Sequence, residues 1–129
     1  LKRGGKLLIY HGWSDPALSP VNTVQYYEEV IAKVGRKDTD SFSRLYMVPG
    51  MQHCGGGSGP NSFGTPLEAA LERWVEQGVA PGSIVATKYK TDGDATSGVA
   101  RTRPLCAFPS QARYNGTGSI EVAGSFSCR

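Results

Sequence analysis

Long apolar runs are missing from this chain of 129 residues; none approaches the ~20 consecutive apolar positions that a membrane-spanning helix needs. No membrane partner is therefore expected. Charge of one sign is also lacking: the net charge is only +3, and the basic residues are scattered rather than clustered. A scattered, mild excess reads as a solvated surface, so no nucleic-acid partner is expected. Histidine occurs twice, so any imidazole chemistry must use His11 or His53. There is no Cys-x-x-Cys and no His-x-x-x-His pair. A metal site would have to be assembled from His11, Asp15, His53 and Cys54. Two adjacent ligands, His53 and Cys54, strain coordination, so no metal is expected. The chain has neither an initiator Met nor a signal-peptide pattern at Leu1, and the natural sequence is expected to start further upstream or to have been cut.

Two further motifs are absent. No Gly-x-Ser-x-Gly nucleophile elbow is present; the nearest candidate, around Ser58, has Pro60 where the last glycine belongs. The stretch Gly55-Gly56-Gly57-Ser58-Gly59 lacks the Gly-Lys-[Ser/Thr] ending of a phosphate-binding loop and does not open a helix directly. Its expected role is to let backbone pass close to His53.

What is present reads as an alternation of strands and helices. Lys6 to Tyr10 is a continuous apolar run between Gly4-Gly5 and His11-Gly12, the pattern of a strand buried on both faces of a parallel sheet. Ser19-Pro20 predicts a helix start, and Val21, Val24, Tyr27, Ile31 and Val34 share one face before Gly35. Residues 36–41 read as a polar loop, and Phe42 to Val48 as a second strand ended by Pro49-Gly50. Thr65-Pro66-Leu67-Glu68 reads as a capping box; Leu67, Ala70, Leu71, Trp74 and Val75 follow at helical spacing, and Gly78 closes the helix. Ser83 to Tyr89 predicts a third strand, and the chain from Thr91 onward predicts loops with short strands. The series implies an α/β chain with right-handed crossovers and a sheet that is parallel at least locally.

Cysteine is scarce but informative. Cys106 and Cys128 lie in a tail rich in Gly, Ser and Thr, which orders poorly unless stapled. A disulfide between them is expected, leaving Cys54 over, and an odd cysteine in an oxidised protein suggests a partner elsewhere. With the glycosylation sequon at Asn115, these features favour a secreted or periplasmic protein over a cytosolic one with three free thiols.

Asp15 follows the first strand and His53 the second. In open α/β sheets reactive groups collect at the C-terminal ends of strands. Acid, helix, strand, histidine is the second half of the order Ser…Asp…His of α/β-hydrolases, so Asp15 and His53 are the candidate catalytic pair. The bland readings are a Ser-Asp-Pro turn residue and an idle loop histidine. Asp38 and Asp40 are the other acids considered, and His11 reads as a packed or supporting residue. The competing function is a non-catalytic binding module of an extracellular protein. The two differ simply: a triad demands a carboxylate oxygen within ~3 Å of a ring nitrogen.

Three stretches resemble the C-terminal portion of the tannase/feruloyl esterase family, which includes the mono(2-hydroxyethyl) terephthalate hydrolase type. They are Tyr10-His11-Gly12-Trp13-Ser14-Asp15-Pro16, Val48 to Gly57, and Arg103-Pro104-Leu105-Cys106 to Cys128. The resemblance implies that residues 1–129 are the C-terminal part of a single α/β-hydrolase catalytic domain, with the nucleophile half and a lid upstream. It also implies that Cys54 pairs with a cysteine directly preceding the nucleophilic serine, that calcium sits in the absent lid with no cofactor in this chain, and that the protein is secreted. The substrate implied is a small ester of an aromatic acid; feruloyl, tannin and terephthalate esters are not distinguished. The 129 residues alone are expected to be inactive.

Overall fold

The computed structural model describes residues 3–129. Strand β1 (Leu7–Gly12) pairs in parallel with β2 (Ser43–Val48), in a register that runs from Leu7 opposite Ser43 to Gly12 opposite Val48. Two helices make the crossover. The first, α1 (Pro20–Val34), starts at proline with Ser19 as its cap residue, although the Ser19 side chain makes no capping bond. Its C-terminus is closed by Gly35, at φ 93°, whose N–H bonds to Ile31 O. Tyr27 is its one fully buried residue and donates its hydroxyl to Ser43 O at 3.1 Å, which docks the helix on the start of β2. Val24, Ile31 and Val34 are half-buried beside it, whereas Val21 is exposed.

The expected polar loop over 36–41 is instead a second helix, α2 (Arg36–Phe42). It carries no apolar stripe. Arg36 Nε bonds Asp40 Oδ2 at 2.9 Å across one turn, and Thr39, fully buried, bonds Gly35 O through both its N–H and its hydroxyl. Short-range polar bonds of this kind accompany a helix that periodicity does not reveal.

Burial of β1 on both faces is not seen among the described residues: Leu7 and Tyr10 are exposed, and β1 has a strand neighbour on one side only. In β2, by contrast, Leu45, Tyr46 and Val48 are fully buried. The next helix, α3 (Gly64–Gln77), begins at Gly64 rather than after Thr65. Phe63 takes the cap position, so the Thr65–Glu68 capping box does not form. Trp74 is buried; Val75, expected on the same face, is exposed. Lys6 Nζ and the Arg44 guanidinium each sit about 5 Å from the Trp74 ring, at 5.2 and 5.1 Å.

The third strand, β3 (Ser83–Thr91), does not join the parallel pair. It forms a separate antiparallel hairpin with the 13-residue β4 (Asp94–Cys106), where only loops and short strands were expected. Thr91 faces Asp94 across the turn Asp92-Gly93, and Gly93 sits at φ 78°. Asp-Gly between β-branched and aromatic residues is a strong hairpin signal, and it overrides the parallel reading. The core lies between the two sheets: Tyr46, Val48, Met51 and Phe63 pack with Ile84, Ala86 and Leu105. Tyr46 donates its hydroxyl to Pro81 O at 3.0 Å, and burial pushes that phenol up to about 12. The tail forms a short pair, β5 (Ala112–Tyr114) with β6 (Phe126–Cys128), and Cys106 is disulfide-bonded to Cys128. No helix among the described residues is long and apolar enough to cross a membrane.

Candidate active site

Both catalytic candidates sit just beyond the C-terminal ends of the paired strands, and the backbone ties the two loops together. Trp13 N–H bonds Val48 O at 2.9 Å and Ser14 N–H bonds Met51 O at 3.0 Å. Gly12 makes this possible: a Cβ there would stand 2.2 Å from Met51 O and 2.6 Å from Gln52 O. No side chain fits that approach. The glycine-rich loop after His53 folds back in the same way. Cβ atoms on Gly57 and Gly59 would meet Gly50 O at 2.1 Å and Pro49 O at 1.9 Å, and Lys88 Nζ of β3 donates to Gly57 O at 2.6 Å.

Thirty-eight positions apart in sequence, Asp15 and His53 meet: Asp15 Oδ2 accepts from His53 Nδ1 at 2.8 Å. The Asp15 side chain is 3 % exposed and that of His53 is 50 % exposed. Oδ1 accepts the backbone N–H groups of Ala17 at 2.8 Å and Leu18 at 3.0 Å, so the Ser-Asp-Pro turn and the bond to His53 coexist in one residue. These bonds hold the Asp15 carboxyl well below the usual carboxylate range; the Leu18 amide contributes most, burial opposes it, and His53 and the Ala17 amide add to it. Asp38 and Asp40 lie on α2, where Asp40 pairs with Arg36 and Arg44.

His11, read as a supporting residue, proves to touch the same carboxylate: its Nε2 lies 3.1 Å from Asp15 Oδ2 and its Nδ1 2.7 Å from Thr23 Oγ1. Sequence reasoning gave no signal for Thr23 or Lys88, whose parts depend on elements far away in the chain. Cys54 is free, exposed and at φ 57°, a left-handed conformation uncommon for a residue with a side chain. A cleft of about 140 Å³ is lined by Tyr10, His11, Asp15, Leu18, His53 and Cys54, among others. Among the described residues no group of three or more His, Cys, Asp or Glu is disposed to hold a metal ion.

The family model for tannase and feruloyl esterase matches residues 1–129. The chain belongs to the tannase and feruloyl esterase family. It is 45% identical over 128 residues to the mono(2-hydroxyethyl) terephthalate hydrolase of Piscinibacter sakaiensis, covering 98% of this chain and 20% of that one. It is 38% identical over 130 residues to a probable feruloyl esterase of Arthroderma benhamiae, covering 98% of this chain and 23% of the relative. The crystal structure of feruloyl esterase B from Aspergillus oryzae superposes with a TM-score of 0.87 at 32% identity, over 99% of this chain and 28% of that one. The chain thus spans between a fifth and about a quarter of the relatives it matches. This membership sets the α/β unit, the hairpin and the disulfide-stapled tail within the fold of the feruloyl esterases.

Proposed function

We propose that this chain supplies the acid and base of a Ser-His-Asp triad in a secreted or periplasmic serine carboxylic-ester hydrolase acting on esters of aromatic acids. The observation that carries the reading is the 2.8 Å bond from His53 Nδ1 to the buried Asp15 carboxylate, on a ring that is half exposed. An ionised carboxylate only accepts, so His53 carries its proton on Nδ1 and presents the Nε2 lone pair. A serine hydroxyl set against Nε2 loses its proton to the ring as its oxygen attacks the ester carbonyl. Asp15 stabilises the imidazolium that forms. That imidazolium then returns the proton to the leaving alcohol, and water repeats the cycle on the acyl-enzyme.

In this reading the serine, the oxyanion donors and the lid belong to a polypeptide segment outside these 129 residues, and the 129 residues alone turn over no ester. Cys54, free and adjacent to His53, pairs with a cysteine directly preceding that serine. The aromatic acyl class is supported by relatives that bear the names feruloyl esterase and mono(2-hydroxyethyl) terephthalate hydrolase. One experiment tests the whole. The full-length protein is treated with a fluorophosphonate, digested without reductant and peptide-mapped. The expected adduct is on a serine whose neighbouring cysteine is linked to Cys54, with labelling lost in His53→Ala. Undiminished labelling of His53→Ala, or an unpaired Cys54, would overturn the proposal.

A further inference from the structure

His11 is the next-to-last residue of β1, opposite Met47 in the parallel register, and its side chain is only 12 % exposed. Its ring bridges two elements. Nε2 lies 3.1 Å from Asp15 Oδ2, and Nδ1 lies 2.7 Å from the hydroxyl of Thr23 on α1. Asp15 Oδ2 is thus shared by two imidazoles, while Oδ1 is held by the amides of Ala17 and Leu18. The carboxylate has a partner at each of its four acceptor positions.

The chemistry fixes the protons. An ionised Asp15 requires an N–H from each ring that faces it. His53 is therefore protonated on Nδ1 and His11 on Nε2, and the Nδ1 of His11 shares its hydrogen bond with the Thr23 hydroxyl. The two rings face one oxygen through opposite nitrogens. The consequence for function differs as well. His53 keeps a free, exposed nitrogen, whereas His11 has both nitrogens engaged and no edge left to exchange protons with a substrate.

We propose that His11 is a positioning residue: clamped by Thr23, it holds the Asp15 carboxylate plane so that Oδ2 points its remaining lone pair at His53. The terminal torsion of an aspartate is broad and roughly two-fold, so backbone bonds to Oδ1 alone do not set the plane. The His11 donor on the far side of Oδ2 does. Without it the carboxylate turns, His53 follows, and Nε2 leaves the line of the serine proton. Misplacement on the order of 1 Å costs about 100-fold in rate. This inference rests on the triad reading given above.

The test is a set of variants of the full-length protein assayed on methyl ferulate, with folding checked by thermal melts. His11→Leu removes both nitrogens and is expected to lower kcat roughly 10- to 100-fold with KM within about twofold. His11→Gln keeps an N–H at the position of Nε2 and is expected to restore kcat to within about threefold of the parent. In an Asp15→Asn background, His11→Leu is expected to have no further effect, because it acts through the carboxylate. Should His11→Leu fail to fold, Thr23→Val carries the same test, with a smaller loss of kcat that also vanishes in the Asp15→Asn background. The proposal is overturned if His11→Leu leaves kcat within twofold, if His11→Gln is as damaged as His11→Leu, or if the losses add to that of Asp15→Asn. A silent Asp15→Asn, by contrast, would remove the triad reading itself.

Discussion

Asp15 concentrates the chemistry of the site on two oxygens, each with two donors. Replacing it by Asn puts an amide where an anion stood, and the ring then favours the wrong tautomer. In the serine-protease precedent that single change lowers kcat by about 10⁴ with the geometry intact. The full-length Asp15→Asn protein is expected to fold but to lose kcat on methyl ferulate by several orders of magnitude, with a melting temperature at neutral pH below the parent's because the stabilising charge is gone. A near-normal kcat would reassign the acid. The same carboxylate gives a pH signature. Its folded value lies well below the ~3.9 of an unfolded aspartate, so the group stabilises the fold above that value and loses its contribution as the pH falls through it toward the folded one. Melting curves recorded from pH 6 to pH 2 should fall more steeply for the parent than for Asp15→Asn. Parallel curves would mean that the backbone bonds from Ala17 and Leu18 do not favour the charged form.

At the scale of elements, the site is built where two strand ends touch. The parallel pair brings β1 and β2 side by side, but it is Gly12 that lets the 13–15 and 49–53 segments pass at backbone contact. Gly12→Ala would place a methyl 2.2 Å from the Met51 carbonyl. Relieving that clash must push the His53 loop off the end of β1, stretching the Ser14–Met51 bond and the Asp15–His53 bond together. The expected cost is roughly 1–3 kcal/mol of stability, typical of overpacking in a tight site, together with a larger loss of kcat than of KM. Urea denaturation and steady-state kinetics on the full-length protein measure the two effects. An unchanged kcat would show that the loops are held by something other than the Gly12 contact. Gly35 works differently: at φ 93° it ends α1 and starts α2, turning the crossover within one residue.

For the whole molecule, the disulfide and the hairpin decide how the tail is anchored. Cys106 ends β4 and Cys128 ends β6, and the bond between them closes 22 positions of chain. The enclosed segment is poor in buried apolar residues; Ile120 and Val122 are exposed. In the chain-entropy model a loop of that length contributes roughly 3 kcal/mol. The double variant Cys106→Ala, Cys128→Ala should lose about that much in urea denaturation, with early amide exchange over residues 112–128. Loss of less than about 1 kcal/mol would mean that the Arg103–Phe126 stacking and the Arg101–Glu121 pair, with ring-to-guanidinium and N–O separations of 4.4 and 2.9 Å, hold the tail unaided. In the 129-residue chain, thiol titration without reductant should find one reactive group, at Cys54. A titre of three thiols would show the disulfide unformed.

Local signals settled a good part of this protein. The apolar run before His11 became β1, proline and glycine marked the ends of α1, Gly78 closed α3, and the poverty of the tail pointed to the Cys106–Cys128 bond. The Asp15 and His53 candidates came from their place after strands, a rule of sheet topology rather than of composition. What failed to show were features whose cause lies elsewhere in the chain. Helix α2 is polar and carries only short-range side-chain bonds, so it has no period to read. Strand β3 looks the same whether its neighbour is parallel or antiparallel; the partner β4 decided that, through a turn at Asp92-Gly93. The shared oxygen of Asp15, with His11 braced by Thr23 on one side and His53 on the other, exists only once strand, loop and helix are packed. Sequence determines which groups are available and where the backbone must bend; distances of 3 Å between residues tens of positions apart are set by tertiary packing alone.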